Sequence, residues 1–411
     1  MLRATIWLCG VLTAALVAAG CSSTPASDGP GAATGTAGPG VRPPGPPSGI
    51  TTTAEHWGSF FGAASGHFDL QASPADVTLP GTILAVATSN STQYALLTNG
   101  ELYAWGLGNV GQLGDGARTN SFTRPVRVRF PPGVRIAHIP TDVMPYDTGL
   151  AVDTHGRAWG WGRNGGGDLC LGNSGVQLTP VELPFHHVTA LAGASNHALY
   201  DANGTVFACG QNVRGDLGDG KRTSSPRPVR VRRLAGHPVK TLVASFANSG
   251  ALLTNGEYFD WGYNAKGQLG IGHFGGSSDV PVRVRLPQPV RHVALGGSIW
   301  FNGQTVVMLS NGQLWAWGSD DFSQLGDGRS RAQSSPIRFF APAGVTYRSI
   351  ATGSATSYAI STTGAVYAWG VGHLGQVGDG RMATARHPVQ VASGATAISA
   401  TANNVVVSKL G

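Results

Sequence analysis

Short apolar runs separated by glycine-containing turns recur along most of this chain. The clearest copy runs from Ala95 to Gly116, ALLTNGELYAWGLGNVGQLGDG. It holds an apolar run, Asn99-Gly100, a second apolar run ending in Trp105-Gly106, and a glycine-rich connection. Apolar runs of this length between such turn residues read as β-strands. Asn-Gly between two of them is a strong hairpin signal and predicts positive φ at both turn residues.

The copies keep a register. Their turn glycines are Gly100, Gly156, Gly204, Gly256, Gly312 and Gly364, spaced by 56, 48, 52, 56 and 52 residues. The run after the turn ends in Trp105-Gly106, Trp161-Gly162, Cys209-Gly210, Trp261-Gly262, Trp317-Gly318 or Trp369-Gly370. Variants of GQLGDG follow, then a proline-led run such as Pro125–Arg129 or Pro281–Arg285, then a small-residue run such as Ser349–Gly353. Four short strands per repeat of this length is the content of a propeller blade. The ends supply one more. His56-Trp57-Gly58 precedes the first full copy, and Val405–Gly411 aligns with Tyr94–Gly100. The expected fold is therefore all-β, a seven-bladed β-propeller with one blade closed by both chain ends, which leaves the ring without an open gap.

The alanine-leucine strand, the turn, YAWG and GQLG resemble the signature of the regulator of chromosome condensation repeat family, over about residues 52–411. That resemblance implies a propeller that binds other proteins. Its eukaryotic members include guanine-nucleotide exchange factors. Some secreted bacterial members inhibit β-lactamases by covering the active site.

Composition agrees with the strand reading. Sixty-one glycines, 25 prolines and 12% charged residues do not suit a helix bundle, and 41% hydrophobic residues are ample for a core. Residues 1–20 carry one cation, Arg3, an apolar run and then small residues, which is a signal-peptide layout. The sequence Ala18-Ala19-Gly20-Cys21 resembles the lipobox of bacterial lipoproteins, with Ala18 where leucine is usual. It implies acylation of Cys21 and a protein held at the extracytoplasmic face of a bacterial cell membrane; ordinary secretion is the alternative. Residues 21–50, rich in Ser, Thr, Ala, Pro and Gly, read as a disordered tether, and 51–411 as the propeller.

Candidate chemistry is sparse. Gly106–Gly111 and Gly370–Gly375 spell GxGxxG, but no helix pattern follows, so they read as by-products of the repeat. The recurring Asp-Gly pairs at Asp115, Asp219, Asp327 and Asp379 read as turns rather than calcium ligands. No metal, cofactor or catalytic constellation is nominated, and a propeller-based carbohydrate-active enzyme is the rival to a binding module. The expected partner is a protein outside the cytoplasm, with no nucleic acid and a monomeric chain. Cys170 and Cys209 are the only cysteines of the body, either bridged or two buried thiols.

Two features remain. Arg127, Arg129, Arg230, Arg232, Arg283 and Arg285 recur at one blade position with valine between them. Period two puts the arginines on one side, as protection of an outer edge or as a basic rim for anionic polymers. The net charge of +7 favours anionic partners without specifying one. Two copies have a longer link between the small-residue run and the next apolar run. These links carry Asp142, Met144, Tyr146 and Asp147 in one copy, and Trp300 and Phe301 in the other. Both fall at the same blade connection, which reads as a binding face or as loop drift.

Overall fold

The computed structural model describes residues 52–60 and 69–409, apart from 91, 141–146, 195, 235–236, 247, 299–302 and 402. Every regular element among the described residues is a strand, and the strands form seven antiparallel four-stranded sheets. Counted along the chain, blade 1 spans 83–127, blade 2 136–182, blade 3 188–230, blade 4 239–283, blade 5 290–339 and blade 6 347–392. Each lays down its strands in sequence order, so the first and fourth are its edges. First strands of neighbouring blades pack on one another around the axis, which leaves the fourth strands at the rim.

Blade 7 takes Ala395–Thr401 and Asn404–Lys409 from the C-terminal end and Thr52–Phe60 and Asp69–Leu79 from the N-terminal end. The expected closure is present, with one correction to its register. Trp57 pairs with Val405 as Trp105 pairs with Gln93, so Val405 stands at the place of Gln93 rather than Tyr94. The run of three valines at 405–407 fits either register, and only the ladder separates them.

The turns also differ from expectation. Gly100 N–H donates to the Leu97 carbonyl (2.9 Å) and Leu97 N–H to Glu101 (2.8 Å). This is a three-residue loop whose last residue, Gly100, alone has positive φ, 79°. The same bond recurs at Gly156, Gly256, Gly312 and Gly364. Only the Asn203-Gly204 hairpin has both residues at positive φ, 53° and 69°. The longer loop lets the asparagine stay right-handed and leaves the left-handed step to glycine.

The core lies between blades. Trp57, Trp105, Trp161, Trp261, Trp317 and Trp369 are all 0% exposed, each in a third strand and followed by glycine. The indole N–H reaches back to the preceding blade's GQLG loop. Trp161 donates to the Gln112 carbonyl (2.9 Å), Trp261 to Asp216 (2.9 Å), Trp317 to Gln268 (2.8 Å), Trp369 to Gln324 (3.0 Å) and Trp57 to Gln376 (3.0 Å). The last of these fastens the N-terminal strand into the ring. Trp105 has no such partner among the described residues. The final glycine of the loop lies under the ring: a Cβ at Gly270 would stand 2.7 Å from Trp317 Nε1.

One junction is built differently. In blade 2 the loop reads Gly167-Asp168-Leu169-Cys170, and blade 3 has Cys209 where the tryptophan belongs. The glycine and the tryptophan that meet elsewhere are here both cysteines, and they are joined as a disulfide with 5.5 Å between Cα atoms. Cys170 keeps the left-handed φ of the glycine it replaces, 58°. The hydrogen bond that cysteine cannot give comes from Tyr200, whose hydroxyl donates to the Asp168 carbonyl at 3.1 Å.

Candidate interaction surface

Alternate strands run up and down, so the connections between first and second strands leave the same face as the GQLG loops. In blades 1, 3, 4 and 6 that first connection covers only residues 89–91, 194–196, 245–247 and 353–355. In blades 2 and 5 it covers 139–147 and 296–303. The two longer links therefore emerge on one face. Asp142, Met144, Tyr146, Trp300 and Phe301 lie outside the described residues, as does Cys21. Asp147 is described and sits at the root of its link with φ 58°. Its carbonyl accepts from Arg163 N–H (2.9 Å) and its carboxylate from Gln112 Nε2 (3.4 Å), so this side chain ties the link to blade 1.

The same face carries a group absent from the sequence reading. Arg214, in the glycine-rich loop of blade 3, has its guanidinium carbon 5.3 Å from the Phe246 ring centroid and 4.6 Å from that of Tyr263. Both rings belong to blade 4, and all three side chains are partly exposed. Val213 beside them is 71% exposed. An arginine held between aromatic rings keeps its donors available while its conformation is fixed. Sequence gave no cue, because the three residues meet only across the blade junction.

Buried polar groups close to this face serve the ring. His197 Nε2 and Ser249 Oγ stand 2.8 Å apart, and the Ser249 hydroxyl donates to the Asp216 carbonyl at 2.8 Å. Both side chains are 0% exposed, which makes them a bond between blades 3 and 4 rather than a nucleophile and base open to substrate. Burial pulls the His197 pKa down to about 4, so it stays neutral at physiological pH.

Asp216 occupies the place that glutamine takes at 112, 268, 324 and 376. Burial pushes its carboxyl up to about 7, against the pull of the Arg214 backbone N–H and guanidinium. The folded state thus holds a proton there that the unfolded chain releases near pH 4. Stability at this site is greatest below pH 4 and falls as pH rises to 7. Asp216→Gln should raise stability at pH 8 by roughly 1–2 kcal/mol, with the lost Arg214 attraction offsetting part of the gain, and should leave it nearly unchanged at pH 4. Chemical denaturation at the two pH values measures this; equal effects at both would contradict it.

The Asp-Gly loops are closed turns. Asp115 accepts from Ala117 N–H at 3.0 Å, Asp219 from Lys221 at 3.1 Å, and Asp327 and Asp379 from Arg329 and Arg381 at 2.9 Å. Among the described residues no three His, Cys, Asp or Glu side chains come together as a metal site. Gly111 N–H bonds to the Gly108 carbonyl (3.0 Å), so the first GxGxxG stretch is a turn and not a helix start.

All six rim arginines are exposed, and Val128, Val231 and Val284 between them are buried. The fourth strands end at Arg127, Arg230 and Arg283, and Arg129, Arg232 and Arg285 follow just beyond. Arg127 pairs with Glu101 at 2.9 Å and Arg283 with Glu257 at 2.8 Å.

The architecture is a closed seven-bladed propeller with its variable connections on one face. A family model for the regulator of chromosome condensation (RCC1) repeat matches residues 99–140, 203–248, 255–301, 311–360 and 363–406, more than half of the chain. This chain belongs to the RCC1 repeat family. It is similar to the ultraviolet-B receptor UVR8 of Arabidopsis thaliana, 27% identical over 344 residues, which cover 81% of this chain and 76% of that one. Among solved structures it resembles human WBSCR16, with TM-score 0.75 and 18% identity over 87% of this chain and 98% of that one. It also resembles Prp20p of Saccharomyces cerevisiae, a protein characterised for its binding to Gsp1p and histones, with TM-score 0.73 and 22% identity over 88% and 92% of the two chains. The stretch 141–202, which the family model leaves out, contains Cys170 and most of the first long link.

Proposed function

We propose that this chain is a protein-binding propeller, exported and held at a bacterial cell envelope by acylation of Cys21. The observation that carries the binding reading is the crowding of departures from the repeat onto one face: both long links and the Arg214 clamp. Arginine and aromatic side chains dominate the energetics of protein interfaces, and relatives of this fold such as Prp20p bind proteins. The anchor reading rests on the leader and on Ala18–Cys21. A tether rich in proline and glycine gives the propeller reach from the membrane, and two or more acyl chains make such anchoring stable.

Full-length chain used as bait against envelope and secreted proteins tests the first part. Arg214→Ala, Trp300→Ala and Tyr146→Ala should each reduce the recovered partner at least tenfold, and a partner kept undiminished by all three would sink the face assignment. Metabolic labelling with a palmitate analogue tests the second. Label should enter the wild-type chain and not Cys21→Ala, and equal labelling would refute the anchor.

A further inference from the structure

The outer edges of blades 1, 2 and 4 each carry an ion pair at one position, and blade 3 has the cation of that pair without its partner. The residue after the hairpin glycine lies beside the outer end of the fourth strand. In blade 1 these are Glu101 and Arg127, 2.9 Å apart, and in blade 4 Glu257 and Arg283, 2.8 Å apart. Blade 2 reverses the signs, with Arg157 3.6 Å from Glu182. In blade 5 the residue after the glycine is Gln313, and Arg338 is instead covered by the Phe340 ring at 4.7 Å. Blade 3 has Thr205 in the acidic place, and Arg230 is exposed with neither a carboxylate nor a ring against it among the described residues.

Further cations gather around Arg230. Where blades 1 and 4 continue with the partly buried Phe130 and Leu286, blade 3 has Arg233, exposed and with a left-handed φ of 61°. A left-handed arginine is uncommon and costs conformational energy, and such positions cluster at ligand sites. Arg232 lies over the Asp219-Gly220 turn, where a Cβ on Gly220 would stand 2.9 Å from its Nη1. Arg230, Arg232, Arg233 and Lys221 line a groove of about 490 Å³ together with Val229, Val231 and Asp219. The one acid there, Asp219, is 8% exposed and engaged by Asn212 Nδ2 and Lys221 N–H, both at 3.1 Å. It forms no ion pair with the four cations.

We infer that this groove is a binding site for a phosphate group bearing two or more negative charges, held by Arg230, Arg232, Arg233 and Lys221. Guanidinium forks match phosphate oxygens two at a time, and lysine adds a point charge. Three unpaired arginines at one place repel each other until an anion joins them. The site lies at the rim, so it stands or falls separately from the protein-binding face.

The test uses the full-length chain carrying Cys21→Ala, so that no acyl chain contributes. Pyrophosphate, titrated calorimetrically, should bind one to one. Arg230→Gln with Arg233→Gln should weaken it at least tenfold. Thr205→Glu, which truncates no cation and gives Arg230 the partner found in blades 1 and 4, should weaken it at least threefold. Arg127→Gln with Arg283→Gln should leave it unchanged, and thermal melts should coincide for all four proteins. Co-sedimentation with vesicles containing phosphatidic acid, whose headgroup is a phosphate monoester, against phosphatidylcholine alone, separates the sources. Vesicle binding that follows the same variants assigns the phosphate to a lipid headgroup, and its absence alongside pyrophosphate binding assigns it to a soluble ligand. Failure of pyrophosphate to bind one to one, or an equal loss in the Arg127/Arg283 control, would overturn the site.

Discussion

Trp317→Ala should lower the unfolding free energy by about 3–5 kcal/mol, measured by denaturant titration, the usual cost of emptying a large buried aromatic site. Trp317 is 0% exposed and packs against Tyr258, with ring centroids 6.1 Å apart, and against the blade 4 and 5 core around Val284. A conservative series divides packing from hydrogen bonding. Trp317→Phe keeps much of the apolar contact but leaves the Gln268 carbonyl with no donor among the described residues. Losing the last partner of a buried carbonyl costs about 1–3 kcal/mol. At the junction of blades 1 and 2 the Gln112 carbonyl has a second donor, the Tyr94 hydroxyl at 2.8 Å. Trp161→Phe should therefore cost about 1 kcal/mol less than Trp317→Phe. Equal losses would show that the indole bond contributes nothing beyond packing.

Opening the Cys170–Cys209 bridge should cost about 2–4 kcal/mol, the usual range for a native disulfide. The residues are 39 apart in sequence and both buried, so the bridge restricts the unfolded chain and joins two blades. Cys170→Ala with Cys209→Ala should lower the denaturation midpoint, and a thiol reductant should produce a comparable shift in the wild type and none in the double variant. The alanine at 170 would also inherit the left-handed backbone that glycine holds in the other loops, so Cys170→Gly with Cys209→Ala should lose less, by up to about 1 kcal/mol. A double variant as stable as the wild type would mean that Tyr200 and its stacked neighbour Phe185, with centroids 4.4 Å apart, already hold the junction.

Both predictions concern the same interface, and they show how far the repeat could be read. Counting Trp105, Trp161, Trp261, Trp317 and Trp369 in register gave the blades. The match between 405–411 and 94–100 gave the closure, one residue out of step, because identical valines carry no register. Cys209 visibly stands where the repeat has tryptophan, and Cys170 lies in the glycine-rich stretch of the preceding blade. That they replace the two residues that touch at five other junctions was also latent in the alignment, since Cys170 falls on the place of Gly114, Gly218, Gly270, Gly326 and Gly378. It could be recognised only once those glycines were found beneath the tryptophans. The arginine alternation was legible, but its division into paired and unpaired members was not, because it depends on a residue more than twenty positions earlier.

The strand pattern, the count of blades, the closure by both ends and the places where the repeat departs from its pattern are all legible along the chain. These follow from local rules: strand period, turn residues and regular spacing. What the departures do depends on the assembled ring. Arg214 between Phe246 and Tyr263, the buried His197–Ser249 bond, the disulfide in place of a tryptophan and the unpaired Arg230 all arise between strands or blades. Contacts of that kind depend on which repeats become neighbours and at what register, and no local pattern encodes the distance between two side chains on adjoining blades.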